Sequence, residues 1–130
     1  MAKIAIDAGH GGADPGAVYQ GRQEKDDNLK LALAVGERLQ NNGLDVYYTR
    51  TEDIYQTPYQ KAMAANESEA DFLVSLHRNS SEYPNQYTGV ETLIYDKNGE
   101  KAEIAEDINE ELENIGFRNN GVKIRPGLVI

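Results

Sequence analysis

Apolar and polar positions change period along the chain, and each change marks an element. Residues 3–7 open with Ile4, Ala5 and Ile6, a short apolar run that predicts a buried strand. A loop dense in glycine follows, Ala8-Gly9-His10-Gly11-Gly12-Ala13-Asp14-Pro15-Gly16. Over residues 26–42 the period becomes helical. Leu29, Ala32, Leu33 and Gly36, with Leu31, Val35 and Leu39, make a broad apolar stripe. Asp26 or Asp27 caps its start and Gly43 its end. Residues 44–49 return to strand. Thr57-Pro58-Tyr59-Gln60 is a capping box with Pro at the first helical position, predicting a second helix to Glu67. Residues 71–77 hold Phe72-Leu73-Val74, the unbroken run of a central strand. Residues 79–88 read as polar loop and 89–95 as an alternating strand.

Residues 99–115 predict a third helix with Ala105, Ile108, Leu112 and Ile115 inward. Its other face, Glu103, Glu106, Asp107, Glu110, Glu111 and Glu113, reads as solvated. Residues 121–125 form a further short strand, and Leu128-Val129-Ile130 looks like a strand cut short. Strands alternating with helices place the chain in the α/β class, with a mostly parallel or mixed sheet covered on both faces. No linker, repeat or low-complexity tract interrupts residues 1–130, so a single domain is expected.

Composition then removes whole classes of function. With 13 basic and 22 acidic side chains the formal net charge is −9, which argues against general nucleic-acid binding and against adhesion to anionic membranes. The absence of cysteine removes disulfides, thiolate zinc sites, iron–sulfur clusters and Cys nucleophiles, and leaves the redox compartment open. No run of about 18 apolar residues is present, so no membrane insertion is expected. The opening Met1-Ala2-Lys3-Ile4-Ala5-Ile6-Asp7 is too short and too soon polar for a signal peptide.

Both histidines stand at informative places. His10 lies just past the carboxyl end of the first strand, and His77 ends the 71–77 strand. Functional groups of open α/β sheets gather at such ends. A third ligand would have to be a carboxylate. Glu24, placed before the helix start and at the far end of the His10 loop, is attractive; Asp14 is a rival, although Asp-Pro-Gly is a turn former. Each residue also has an ordinary reading, as a hydrogen-bonded loop histidine or a first-turn acid favoured by the helix dipole. Two His and one carboxylate leave one tetrahedral position open, the pattern of catalytic zinc. Zinc lowers the pKa of water to around 7 and polarises a carbonyl, so the reaction class would be hydrolysis of an amide or ester. A phosphate cradle at Gly9-His10-Gly11-Gly12 is disfavoured because the Gly-Lys-Ser/Thr ending is missing. Ser75, Ser80 and Ser81 lack a Gly-x-Ser-x-Gly elbow.

The run Ile6-Asp7-Ala8-Gly9-His10-Gly11-Gly12-Ala13-Asp14-Pro15-Gly16-Ala17, then Glu24-Lys25-Asp26 with Asn28-Leu29, resembles zinc-dependent N-acetylmuramoyl-L-alanine amidases of the third amidase family. These are bacterial and phage cell-wall hydrolases. Thr49-Arg50 with Asp53, Ala65-Asn66, Ala70-Asp71, Ser75-Leu76-His77-Arg78-Asn79-Ser80 and Gly89-Val90-Glu91-Thr92 extend the resemblance over nearly the whole chain. It implies a phosphorylase/hydrolase-like fold, a twisted mixed, mostly parallel sheet flanked by helices on both faces. It implies one Zn2+ held by His10, Glu24 and His77, and cleavage of the amide between N-acetylmuramic acid and L-alanine. The implied partners are the peptidoglycan stem peptide and glycan, met by a monomer at the bacterial cell wall, outside the cell, in the periplasm or on release at lysis.

By the same resemblance Asn79 lies near the metal. Lys61 stands where many relatives have Arg, and Arg78 where many have a small residue, putting a cation beside His77 that would bind substrate carboxylates or line the rim. Glu91 matches a recurring family Glu, but its strand face also carries Leu93 and Tyr95, which favours a buried structural role equally. The family's catalytic Glu falls on a later strand, beyond Ile130, so the domain is expected to lack its C-terminal strand and helix here and to hydrolyse poorly. Rival readings are another zinc peptidase such as a carboxypeptidase, for which Arg78 and Arg125 would bind a free carboxylate, and a non-catalytic peptidoglycan-binding module of the same fold.

Overall fold

The computed structural model describes residues 2–78, 89–96 and 99–128, which fall into two compact units, residues 2–78 and 89–128. In the first unit β1 (Lys3–Ala8) is the centre of a parallel sheet, with β4 (Asp45–Tyr48) on one side and β5 (Phe72–Leu76) on the other. Ile4 pairs with Val46 and Phe72, and Ile6 with Tyr48 and Val74. Successive side chains of a strand point to opposite faces. Ala5, Ile6, Asp7 and Ala8 are nonetheless all buried, so both faces of β1 are covered.

The two faces differ in chemistry. Ile6 and Ala8 pack against Ala32 of α1 (Glu24–Asn41), with Leu29, Val35, Leu39, Val46, Tyr48, Val74 and Leu76 around them. On the opposite face Asp7 meets Lys61 of α2 (Pro58–Glu67). Thr57 caps α2 through the expected box: its hydroxyl accepts from the Gln60 N–H, and the Gln60 side chain accepts from the Thr57 N–H. Between β1 and α1 the chain makes a small antiparallel hairpin, β2 (Val18–Tyr19) and β3 (Arg22–Gln23), turning at Gln20 and Gly21, both of positive φ.

Three expectations need correction in this unit. Helix α1 starts at Glu24, not 26; its N-cap is Gln23 with no side-chain cap bond, and Asp26 and Asp27 sit in its first turn. Its buried row is Glu24, Asn28, Ala32 and Gly36, one every fourth residue, whereas Leu31 and Leu33 are exposed. The predicted stripe was too wide, because a helix against one sheet buries only the positions aligned with it. β5, expected to be central, has β1 as its one partner among the described residues, and Leu73 is exposed.

The second unit pairs β6 (Val90–Ile94) in parallel with β7 (Asn119–Ile124), and α3 (Lys101–Asn114) packs on both. Ala105 and Asn109 are its buried helical residues, the six acids of its other face are exposed, and Ile115, expected inward, lies past the helix end and is 73% exposed. Asn109 closes a neutral network: Thr92 Oγ1 donates to its Oδ1 at 2.7 Å, and its Nδ2 donates to the Gly121 carbonyl at 2.9 Å and to Asn119 Oδ1 at 3.3 Å. The Glu91 strand face is less covered than expected, since Leu93 and Tyr95 are exposed. The loop at 79–88 and Val129–Ile130 lie outside the described residues. Among the described residues no helix is long and apolar enough to cross a membrane.

Candidate metal centre

Three donors meet at the carboxyl end of the first sheet. One ligand atom from each of His10, Glu24 and His77 lies within 4.8 Å of the others. His10 Nε2 is 3.3 Å and His77 Nδ1 3.2 Å from the same oxygen, Glu24 Oε2, and the two imidazole rings stand edge to face at 89°. The Glu24 side chain is 4% exposed, against 27% for His10 and 44% for His77. The carboxylate is the floor of the cluster and the imidazoles are its open side.

Each donor is held by its local structure. His10 follows β1 with φ 66, a left-handed conformation that costs a non-glycine residue energy. Cationic side chains anchor the backbone there. Lys61 Nζ donates to the Ala8 carbonyl at 2.8 Å and to that of His10 at 3.3 Å. Arg50 donates to the carbonyls of Ala8 and Gly9, each at 3.1 Å, and of Lys25 at 3.0 Å. Asp14 Oδ2 lies 2.8 Å from His10 Nδ1, so the ring donates from Nδ1 and keeps the Nε2 lone pair for a metal. The hydrogen bond from His10 also holds the Asp14 carboxyl below its usual range. Asp14 accepts from the Gly16 N–H at 3.1 Å as well, so it is both the turn former and the partner that orients the His10 ring.

Glu24 reaches the site as the first residue of α1. Its N–H donates to the Ala17 carbonyl at 2.8 Å, while the Ala17 N–H donates to Oε1 at 3.1 Å, closing the base of the hairpin. Oε2 accepts from the Asn28 amide and from the Arg78 N–H, each at 2.9 Å. Burial by itself would raise the Glu24 pKa. The bonds from Arg78, Asn28 and Ala17 and the nearby His10 outweigh it, and the carboxyl sits below its ordinary 4.5. A buried carboxylate kept ionised beside two imidazole nitrogens fits a divalent metal by its donor chemistry.

His77 leaves β5 and lays its ring on Gly9. A Cβ at Gly9 would fall 2.4 Å from His77 Cε1. Gly16, at φ 67, makes the same room on the other side, where a Cβ would meet His10 Cδ2 at 2.5 Å and Glu24 Oε1 at 2.8 Å. At Gly9 and Gly16 the two rings and the carboxylate occupy the space that a side chain would take, whereas Gly11 and Gly12 make room for the backbone of Ile54 and Tyr55.

Of the other site candidates, Arg78 gives Glu24 its backbone N–H and ion-pairs through its guanidinium with Asp27, which also pairs with Arg22. Asn79 lies outside the described residues. Arg125 and Glu91 belong to the second unit; Arg125 is exposed, with its N–H on the Ile94 carbonyl, and Glu91 is half-buried. Sequence reasoning missed the roles of Arg50 and Lys61. Both are 3% exposed, and Lys61 Nζ also pairs with Asp7 at 2.9 Å, whose carboxylate accepts from Thr49 and Ser75, each at 2.6 Å. The one sequence signal was an Asp inside an apolar strand, which needs a buried cation to answer it.

A family model described as N-acetylmuramoyl-L-alanine amidase matches residues 4–130. The chain is 44% identical over 97 residues to the sporulation-specific N-acetylmuramoyl-L-alanine amidase of Bacillus subtilis, covering 73% of this chain and 36% of that protein. To N-acetylmuramoyl-L-alanine amidase CwlM of Bacillus licheniformis it is 39% identical over 127 residues, covering 95% of this chain and 49% of that one. The crystal structure of N-acetylmuramoyl-L-alanine amidase from Clostridium difficile 630 matches with a TM-score of 0.92 at 32% identity, over 98% of this chain and 72% of that chain. The chain thus spans less than half the length of these two curated relatives.

Proposed function

The chain belongs to the N-acetylmuramoyl-L-alanine amidase family, and from that membership we propose that it hydrolyses the amide joining N-acetylmuramic acid to L-alanine in peptidoglycan, with one zinc ion held by His10, Glu24 and His77. The observation that carries the reading is the convergence of two imidazoles and one ionised, buried carboxylate at the strand ends. Zinc held there would supply a Lewis acid for the scissile carbonyl and would lower the pKa of water toward 7.

The residues of the chain do the rest of the preparation. Asp14 fixes the His10 tautomer, and Gly9 lets His77 close on the cluster. Asn28 and the N–H groups of Ala17 and Arg78 hold the Glu24 carboxylate so that it does not turn away. The exposed His77 ring and the half-buried His10 ring leave one side open to a large polymeric substrate. The reading places the protein at the bacterial cell wall, acting as a monomer on glycan strands and their stem peptides.

The test is metal analysis joined to an assay for new L-alanine amino termini on muropeptides. One zinc per chain and release of such ends are expected. A chain loaded with zinc that retains none of it would defeat the ligand assignment, and zinc retention without new amino termini would defeat the activity.

A further inference from the structure

The rim of the centre carries a second charged cluster. Asp27 lies on α1 one turn beyond Glu24, and its Oδ2 accepts from Arg22 Nε at 2.8 Å and from Arg78 Nη1. Arg22 is on β3, two residues before Glu24, and Arg78 directly follows His77. Two cations share one carboxylate, so these three side chains sum to +1 in a chain whose formal net charge is −9. Their side chains are 67% and 46% exposed, and the other donors of both forks have no partner among the described residues. A guanidinium offers five N–H donors in a plane matched to a carboxylate. Asp27 engages one nitrogen of each fork and leaves the rest available.

We propose that Arg22 and Arg78, positioned by Asp27, form a subsite for a carboxylate of the substrate's peptide, beside the metal donors. This rests on the amidase reading, because the stem peptide carries carboxylates beyond the L-alanine whose amide is cut. The subsite would hold the peptide that leaves. It also accounts for a cationic rim on an otherwise acidic chain, since such a rim attracts anionic groups locally whatever the net charge. The ordinary role of these pairs is to brace the hairpin, through Arg22, and the end of β5, through Arg78, against α1. A brace affects every substrate alike, whereas a subsite acts only where the carboxylate is present.

N-acetylmuramoyl-L-alanyl-D-glutamate and N-acetylmuramoyl-L-alanyl-D-isoglutamine differ by one carboxylate and serve as paired substrates. The zinc-loaded protein is expected to favour the first by roughly tenfold in kcat/KM, mainly through KM. The preference should fall toward one in Arg22→Gln and in Arg78→Gln, and stay intermediate in Arg22→Lys and Arg78→Lys, which keep the charge without the fork. The ratio is taken within each variant, so the folded fraction cancels. A wild-type ratio near one, or a ratio unchanged in both Gln variants, would overturn the subsite.

Calorimetry with the dipeptides L-alanyl-D-glutamate and L-alanyl-D-isoglutamine separates the two readings. Carboxylate-dependent binding that is lost in the variants, with neither substrate cleaved, supports the subsite and rejects the amidase assignment. Cleavage of both substrates at equal kcat/KM rejects the subsite and keeps the amidase.

Discussion

Each unit buries a polar centre, and the two centres are built on different terms. In the second unit Asn109 is 1% exposed and neutral, and three partners satisfy its amide. In the first, Asp7, Glu24, Arg50 and Lys61 are all at most 3% exposed; Asp7 pairs with Lys61, Arg50 donates to backbone carbonyls, and Glu24 accepts from Asn28 and two backbone N–H groups. A neutral amide with all its bonds made fixes the seating of a helix and has nothing left to offer. The charged centre holds strained backbone in place with Lys61 and Arg50 and keeps one carboxylate ionised beside two imidazoles. Buried ion pairs are a poor source of net stability, so their presence marks the end of the sheet where position is worth more than stability.

The sharpest way to test that contrast is to remove the ionised floor. Glu24→Gln should lower amidase activity by about a thousandfold, since a Lewis acid contributes several kcal/mol to such a reaction. Zinc competition with a chromophoric chelator should show the metal lost in parallel, with the far-ultraviolet circular dichroism unchanged. Retained zinc in Glu24→Gln would break the comparison.

Next in size is the contrast in stability. Lys61→Met leaves Asp7 buried beside uncharged methylene groups and should cost about 3–5 kcal/mol in urea unfolding. Asn109→Ala should cost about 1–3 kcal/mol, the usual range for stranding buried hydrogen-bond partners, and should leave zinc affinity unchanged. Equal penalties, or a loss of zinc affinity in Asn109→Ala, would show that the two centres are alike.

A smaller effect is expected from Asp14→Ala, which removes the partner of His10 Nδ1 but no metal donor. Zinc affinity should fall 10- to 100-fold, roughly the cost of an outer partner to a ligating histidine. The smallest effect is a pH dependence. Burial alone would raise the Asp7 pKa, but the bonds from Ser75, Thr49 and Lys61 and the Lys61 charge bring it below its ordinary 3.8. As pH falls, the unfolded chain takes up this proton first. The stability from Asp7 is therefore complete above about pH 4 and lost as pH drops through the folded value. The penalty of Asp7→Asn in urea should be full at pH 6 and shrink below pH 4; a constant penalty would mean that Asp7 carries no buried charge.

Much of this was legible where one residue type has one strong local meaning. The Thr57 box ends where expected, at Glu67, and the elements at 3–8, 45–48, 72–76 and 90–94 follow their apolar runs. The juxtaposition of His10, Glu24 and His77 was readable because strand ends and a long glycine loop limit where those side chains can go. The start of α1 was not readable, since Gln23 offers no side-chain cap and the two-residue strands before it are too short to show a period. The burial of Arg50, Lys61 and Asn28 was invisible for another reason. Long cations and amides are usually solvated, and only the fold shows the carbonyls that receive them.

The closed hairpin base has a bearing on how this scaffold can vary in length. Glu24 and Lys25 are tied back to Ala17 and Pro15 by backbone bonds of 2.8 and 3.0 Å, so the spacing between His10 and Glu24 is set below the turn at Gln20 and Gly21. Extra residues inserted at that tip would lengthen the ribbon without moving His10 or Glu24, as exposed tips tolerate. A single residue inserted between Glu24 and Asn28 would instead rotate one past the other by about 100° and separate the carboxylate from its amide. Relatives should therefore differ in size at the ribbon's tip and keep a fixed count along the first turn of the helix, which makes residues 20–21 the natural place to graft a new recognition loop.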